Sequence, residues 1–250
     1  MAMLLASIPA LPSLDRALEA QNFRDSCDLY NTLRDDSDQP PIDDKHIHNL
    51  AELFVTHNAH EVLGIHLIHG HFSIPKDTVL LGTSFQGPIN RWAKVTQIKD
   101  VNHAAVHGHI FVYQKDKFCA YEYQHGLLPD FSTVSKDFLP AFVEYLVAND
   151  LASLIGLQVL GDSVKQSMCE LILNHGTVML QAASIKNCEL ARVTGWTFEA
   201  GPYGPRACQA NETHTKMNSG NHKVFNAGKP HPKLENINDL KATLTEAGVI

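Results

Sequence analysis

Val106-His-Gly-His-Ile-Phe-Val-Tyr-Gln-Lys-Asp-Lys-Phe-Cys-Ala-Tyr-Glu-Tyr-Gln124 carries β-branched and aromatic residues on both sides of a short polar centre. The runs Val106 to Tyr113 and Phe118 to Gln124 read as two strands of a hairpin, joined across Gln114-Lys-Asp-Lys117. Upstream, Val62 to Ile74 and Thr78 to Leu81 have the same strand character, with Pro75-Lys76-Asp77 as a turn between them. Downstream, Leu154 to Leu160 reads as a buried strand. Leu171-Ile172-Leu173 and Thr177 to Gln181 read as a second hairpin turning at Asn174-His175-Gly176. Val193 to Glu199 is a further strand, and His222 to Asn226 is a short final one. The Gly-, Pro- and Asn-rich stretch 200–219 between them reads as a long loop.

Helical patterns flank and interrupt the strands. Residues 13–34 place Leu14, Leu18, Phe23, Leu29 and Leu33 along one rough face, with Ser13 as the cap. Asp44 to Asn58 repeats Ile47, Leu50, Leu53 and Phe54 at helical spacing, after an acidic loop over 35–44. Lys136 to Ala152 and Asn238 to Ala247 complete the set, the latter stopped by Gly248. Strands grouped in the middle, with helices at the ends and one inserted, predict a single α+β domain spanning 1–250. Its sheet is expected to be largely antiparallel, with flanking helices.

Composition excludes several classes. A 44% hydrophobic share over 250 residues supplies a full core without staples. The formal charge of −7 argues against a nucleic-acid partner, which would require a basic face. No run approaches the ~18 apolar residues that mark a membrane-spanning helix. The short apolar stretch Met1 to Pro12 lacks a basic start and reads as a buried arm. Cys27, Cys119, Cys169, Cys188 and Cys208 are odd in number and widely spaced, which fits a reducing, cytoplasmic compartment.

The chemistry lies in the histidines. The chain has 15, of which ten, His46, His48, His57, His60, His66, His69, His71, His103, His107 and His109, lie between residues 46 and 109. His69-Gly70-His71 and His107-Gly108-His109 are two His-x-His pairs in strand-like surroundings. On a strand, alternate residues share a face, so each pair presents two imidazoles to one ion. The expected metal ligands are therefore His69, His71, His107, His109 and His222, with Cys208 and His214 as further donors near His222. Imidazole donors suit zinc, and Zn2+ is the expected ion. Glu122, a lone acid in an apolar strand, is the candidate catalytic acid–base, since burial would raise its pKa. The competing reading places it on a solvent-facing side. No Walker loop, dinucleotide fingerprint, nucleophile elbow or His-Glu-x-x-His is present.

Gly64-Ile-His-Leu-Ile-His-Gly-His-Phe72 followed by Thr78-Val-Leu-Leu-Gly82 resembles a family of small fungal proteins. So do Ala120-Tyr-Glu-Tyr-Gln124, Leu154-Ile-Gly-Leu-Gln158 and Gly220-Asn-His-Lys-Val-Phe-Asn-Ala-Gly228. The family includes the cyclopenases, or viridicatin synthases, haemocyanin-like zinc proteins of quinolone alkaloid biosynthesis. The resemblance implies a zinc-dependent lyase with a small-molecule substrate. It would contract a cyclopenin-type benzodiazepinedione to a viridicatin-type quinolone, with loss of methyl isocyanate. A haemocyanin-type dicopper centre is not expected, because the His103 and His107 spacing falls in strand-like rather than helical sequence. A non-catalytic metal- or small-molecule-binding protein and a zinc hydrolase remain the alternative readings.

Overall fold

The computed structural model describes residues 11, 17–161, 166–208, 212–218 and 233–250. Strands β1 (Leu63–Leu67), β2 (Thr78–Ser84) and β3 (Ile89–Gln97) precede the central hairpin of β4 (Val106–Gln114) and β5 (Lys117–His125). The turn of that hairpin holds Lys115 and Asp116 at φ 50° and 60°. Positive φ at both central residues matches the twist of the flanking strands. Then follow β6 (Ile155–Val159), β7 (Met168–Leu173), β8 (Gly176–Gln181) and β9 (Cys188–Trp196). β10 (Phe198–Gly201) and β11 (Gly204–Ala207) pair as a separate ribbon, and β12 (Glu212–Met217) is the last strand among the described residues; the short strand expected over His222 to Asn226 lies outside them.

Ten of these strands close into a barrel in the order β1-β6-β4-β5-β2-β3-β8-β7-β12-β9, and β9 returns to β1 through Ile65↔Trp196 and His66↔Gly195. Most neighbours are antiparallel, but β2–β5 and β7–β12 are parallel. This corrects the expected α+β architecture of an antiparallel sheet with flanking helices. A sheet of this size twists and curls, and closure pairs the edge N–H and C=O groups that an open sheet would leave exposed. The helices are short: α1 (Ala20–Tyr30), α2 (Asp44–Thr56), α3 (Phe138–Ala148) and α4 (Ile237–Glu246). The helix expected over 13–34 is thus reduced to α1, and residues 12–16 lie outside those described. β3 was not anticipated, and β10, β11 and β12 occupy part of the stretch read as a loop.

Side-chain alternation gives the barrel two different faces. Leu63, Ile65, Leu67, Ile155, Leu157 and Val159 join Phe54, Phe138, Phe142 and Leu146 of the helices in the main apolar core. The alternate positions His66 and Gln158 are also buried, on the opposite, interior face. The β4–β5 register breaks between Gly108 and Ile110 and again between Ile110 and Phe111. Bulges of this kind re-aim side chains. Here they leave His109 and Tyr121 without a directly opposite partner. Gly108 lies at the first break, where a Cβ would come within 2.3 Å of the Phe111 ring. The result is a barrel whose interior is polar over much of its length. Arg91, His109, Glu122, Gln124, Gln158, Glu170 and His214 are all buried.

Candidate metal centre and cavity

Four side chains converge inside the barrel: His69, His71, Glu170 and His214, whose donor atoms lie within 4.8 Å of one another. His69 and His71 follow the end of β1, Glu170 lies on β7, and His214 lies on β12 directly opposite Glu170 in the parallel pair. Nε2 of His214 is 3.1 Å from Nε2 of His69 and 2.9 Å from Oε2 of Glu170. Nε2 of His71 is 3.7 Å from Oε1 of Glu170. Ligands at zinc-like bond lengths of about 2.0–2.2 Å in a tetrahedron stand roughly 3.3–3.5 Å apart, so these separations bracket what one ion requires.

The surroundings fit an ion as well. Nδ1–H of His69 donates to the Leu67 carbonyl at 2.7 Å, which turns its Nε2 toward the cluster. Nδ1 of His214 lies 3.2 Å from Oδ2 of buried Asp36, an ion-pair contact rather than a well-aligned hydrogen bond. Nδ1 of His71 is buried without a hydrogen-bond partner. Burial, then the neighbouring histidines, pushes His69 well below the ordinary histidine range. His214 moves the other way, up to about 9. Burial opposes its charge, but Asp36 and Glu170 outweigh that. Burial also opposes charge on Glu170, yet His214 and His71 hold its carboxyl well below the usual range. Three imidazoles and a carboxylate therefore form a deprotonatable donor set suited to a divalent transition metal.

A cavity of about 980 Å3 occupies the neighbouring part of the molecule. Its polar wall includes Arg91, His107, His109, Gln124, Gln158 and Glu212, and its apolar wall includes Val159, Leu160, Met168 and Met179. None of the four clustered donors lines it. The link is His66, whose ring stacks on His69 at 5.1 Å and whose Nε2 is 3.6 Å from Oε2 of Glu212. Gln158 donates to both Glu212 oxygens at 3.0 Å. Burial lifts Glu212 to about 7 and lowers His66 to about 4, so near neutrality His66 is uncharged while the Glu212 carboxyl is balanced between its protonated and ionised forms.

Of the residues singled out by sequence, His69 and His71 are in the cluster, whereas His107 and His109 line the cavity. His222 lies outside the described residues. Glu122 faces the interior but is bound to Arg91, Oε2 to Nη2 at 2.9 Å. Burial raises its pKa, and the guanidinium limits the rise. Sequence reasoning missed Glu170 as a donor and gave His214 only a supporting place. Glu170 carries the same signal that drew attention to Glu122, a lone acid within the apolar run Met168-Cys-Glu-Leu-Ile-Leu173. His214 sits between two threonines in sequence that otherwise reads as loop.

Comparison of the chain with protein-family models, with curated proteins and with solved structures finds no match. Among the described residues, no helix is long and apolar enough to cross a membrane.

Proposed function

We propose that this protein is a metal-dependent enzyme acting on a small molecule held in the barrel cavity. The reaction we propose is the ring-contracting lyase chemistry implied by the resemblance to the cyclopenases. The observation that carries this reading is the His66–Glu212 contact, which joins a buried donor cluster to a cavity large enough for a drug-sized ligand. Zinc is the proposed ion, held by His69, His71, Glu170 and His214. When bound, it supplies Lewis-acid polarisation of nearby oxygen atoms.

The cavity residues supply the rest. Gln158 fixes the Glu212 carboxyl, which then faces the cavity as a proton donor or acceptor for a substrate amide or oxygen. Arg91 is held by Gln124 at 2.8 Å and by Glu122, and presents a fixed positive charge to an oxygen that gains negative charge. Met168, Met179, Val159 and Leu160 offer the apolar surface that an aryl group needs.

A second reading follows from the closure of the cluster. Four protein donors complete a tetrahedral zinc, the pattern of a structural site. The ion would then stabilise the barrel, and the cavity would act by itself or only bind. Elemental analysis of tag-free protein, followed by incubation with cyclopenin, separates these readings. Viridicatin from metal-replete protein, together with the methylamine and carbon dioxide that water forms from the released methyl isocyanate, lost on metal removal and restored by zinc, supports the lyase. Folded, metal-replete protein that leaves cyclopenin untouched removes it, and protein that takes up no transition metal removes both readings.

A further inference from the structure

The short segment between α1 and α2 lies against the donor cluster, and its bonds are placed on the ligands' own neighbours. The Arg34 carbonyl accepts from the Gly70 N–H at 2.8 Å, and Gln39 Nε2 donates to the Ile68 carbonyl at 2.6 Å. These two bonds bracket His69. Asp36 reaches His214 with its carboxylate, as described above. Opposite His214 in the β9–β12 pair stands Arg192. Its guanidinium donates to the carbonyls of Asp36, Gln39 at 2.9 Å and Pro40 at 2.7 Å. Adjacent residues of two strands thus hold one segment, His214 through its side-chain acid and Arg192 through its backbone.

We propose that residues 34–40 form a latch over the metal centre, in which Asp36 positions His214 and Arg192 locks the segment shut. This rests on the metal-centre reading. A carboxylate on the outer nitrogen of a ligating histidine fixes the ring and raises its basicity, and loss of such a partner typically costs ~10–100-fold in metal affinity. Arg192 plays a different part. Its guanidinium bonds go to the backbone of the segment, and these three carbonyl contacts tie it down. A lysine cannot reproduce that planar fork. The two residues therefore separate equilibrium from rate: Asp36 sets how tightly the ion is held, and Arg192 sets how fast it passes.

The test uses the full chain loaded with zinc, with transfer to a chromogenic chelator giving both release rate and competition affinity. The wild type, Asp36→Asn, Asp36→Glu and Arg192→Lys are compared, and circular dichroism of each metal-free form confirms folding. Asp36→Asn is expected to weaken zinc by about 10-fold or more, with Asp36→Glu recovering part of the loss. Arg192→Lys is expected to speed uptake and release together, leaving affinity within about threefold. A cobalt-loaded Asp36→Asn protein should show altered d–d absorption, which a role confined to stability would not produce. Unchanged affinity in Asp36→Asn overturns the positioning role, and an unchanged release rate in Arg192→Lys overturns the latch. If Asp36→Asn does not fold, the Asp36→Glu affinity and the Arg192→Lys rates still decide the matter. Failure of the wild type to bind zinc is a separate outcome, and it overturns the metal-centre reading beneath the proposal.

Discussion

Glu170 and His214 face each other across the parallel strands β7 and β12, with Oε2 of one 2.9 Å from Nε2 of the other. Parallel pairing is what places them on one level, because Glu212↔Met168, Thr213↔Cys169 and His214↔Glu170 run in step. Both side chains are buried, so their interaction is little screened by solvent. Glu170→Gln keeps the shape but removes the charge. It is expected to abolish tight metal binding and to destabilise the metal-free protein by about 2 kcal/mol, the scale of a lost charged hydrogen bond. Denaturant titration with and without zinc measures both effects.

Metal itself should stabilise the fold. An ion that binds only the folded chain adds about 2.7 kcal/mol at 100 times its dissociation constant. Thermal melting should therefore rise with zinc concentration and fall on chelation. The shift should vanish in a His69→Ala, His214→Ala double variant. A melting temperature indifferent to zinc in the wild type would count against the centre.

His109 gives a pH dependence whose direction can be fixed. Burial, and secondarily Arg91, holds its folded-state pKa well below the ordinary value near 6.5. The unfolded chain therefore binds a proton that the folded chain refuses. Its favourable contribution is complete above about pH 6.5 and is lost as pH falls below that, at up to ~1.4 kcal/mol per pH unit. His109→Gln lacks this term. The stability of the wild type relative to the variant should thus shrink between pH 7 and pH 5. A constant difference across that range would show that His109 titrates normally.

Arg91 and Glu122 form a buried ion pair that should be costly to break from one side. Arg91→Met leaves Glu122 buried without its cation and is expected to cost ~3–5 kcal/mol. Adding Glu122→Met should recover a substantial part. A double-mutant cycle reports the coupling directly, and simple additivity of the two changes would contradict the geometry.

Local pattern was legible wherever side chains alone decided it. The hairpin at Lys115-Asp116, the turn between β7 and β8, and helix α2 follow from turn chemistry and apolar spacing in their own segments. Barrel closure was not legible, because it depends on β2 meeting β5 and β7 meeting β12 in parallel. Neither pair consists of sequence neighbours, and no local period encodes them. The candidate site divided along the same line. His69 and His71 stood out because they are two residues apart in an apolar run. Glu170 and His214 meet only through the parallel β7–β12 pairing, and Asp36 reaches His214 from the segment between α1 and α2. Asp36 sat within an acidic loop, where a buried carboxylate has no distinguishing sequence signal.

The insertion of β12 between β7 and β9 has a consequence for synthesis on the ribosome. Both neighbours of that strand are made before it, so a nascent chain emerges with a gap in its wall that only residues 212–217 can fill. His214 travels in that closing piece. Until it arrives, the donor cluster has at most His69, His71 and Glu170. Capture of the proposed ion is thereby tied to translation past residue 217, and a chain cut short before residue 212 lacks both this stave of the barrel and one donor of the cluster.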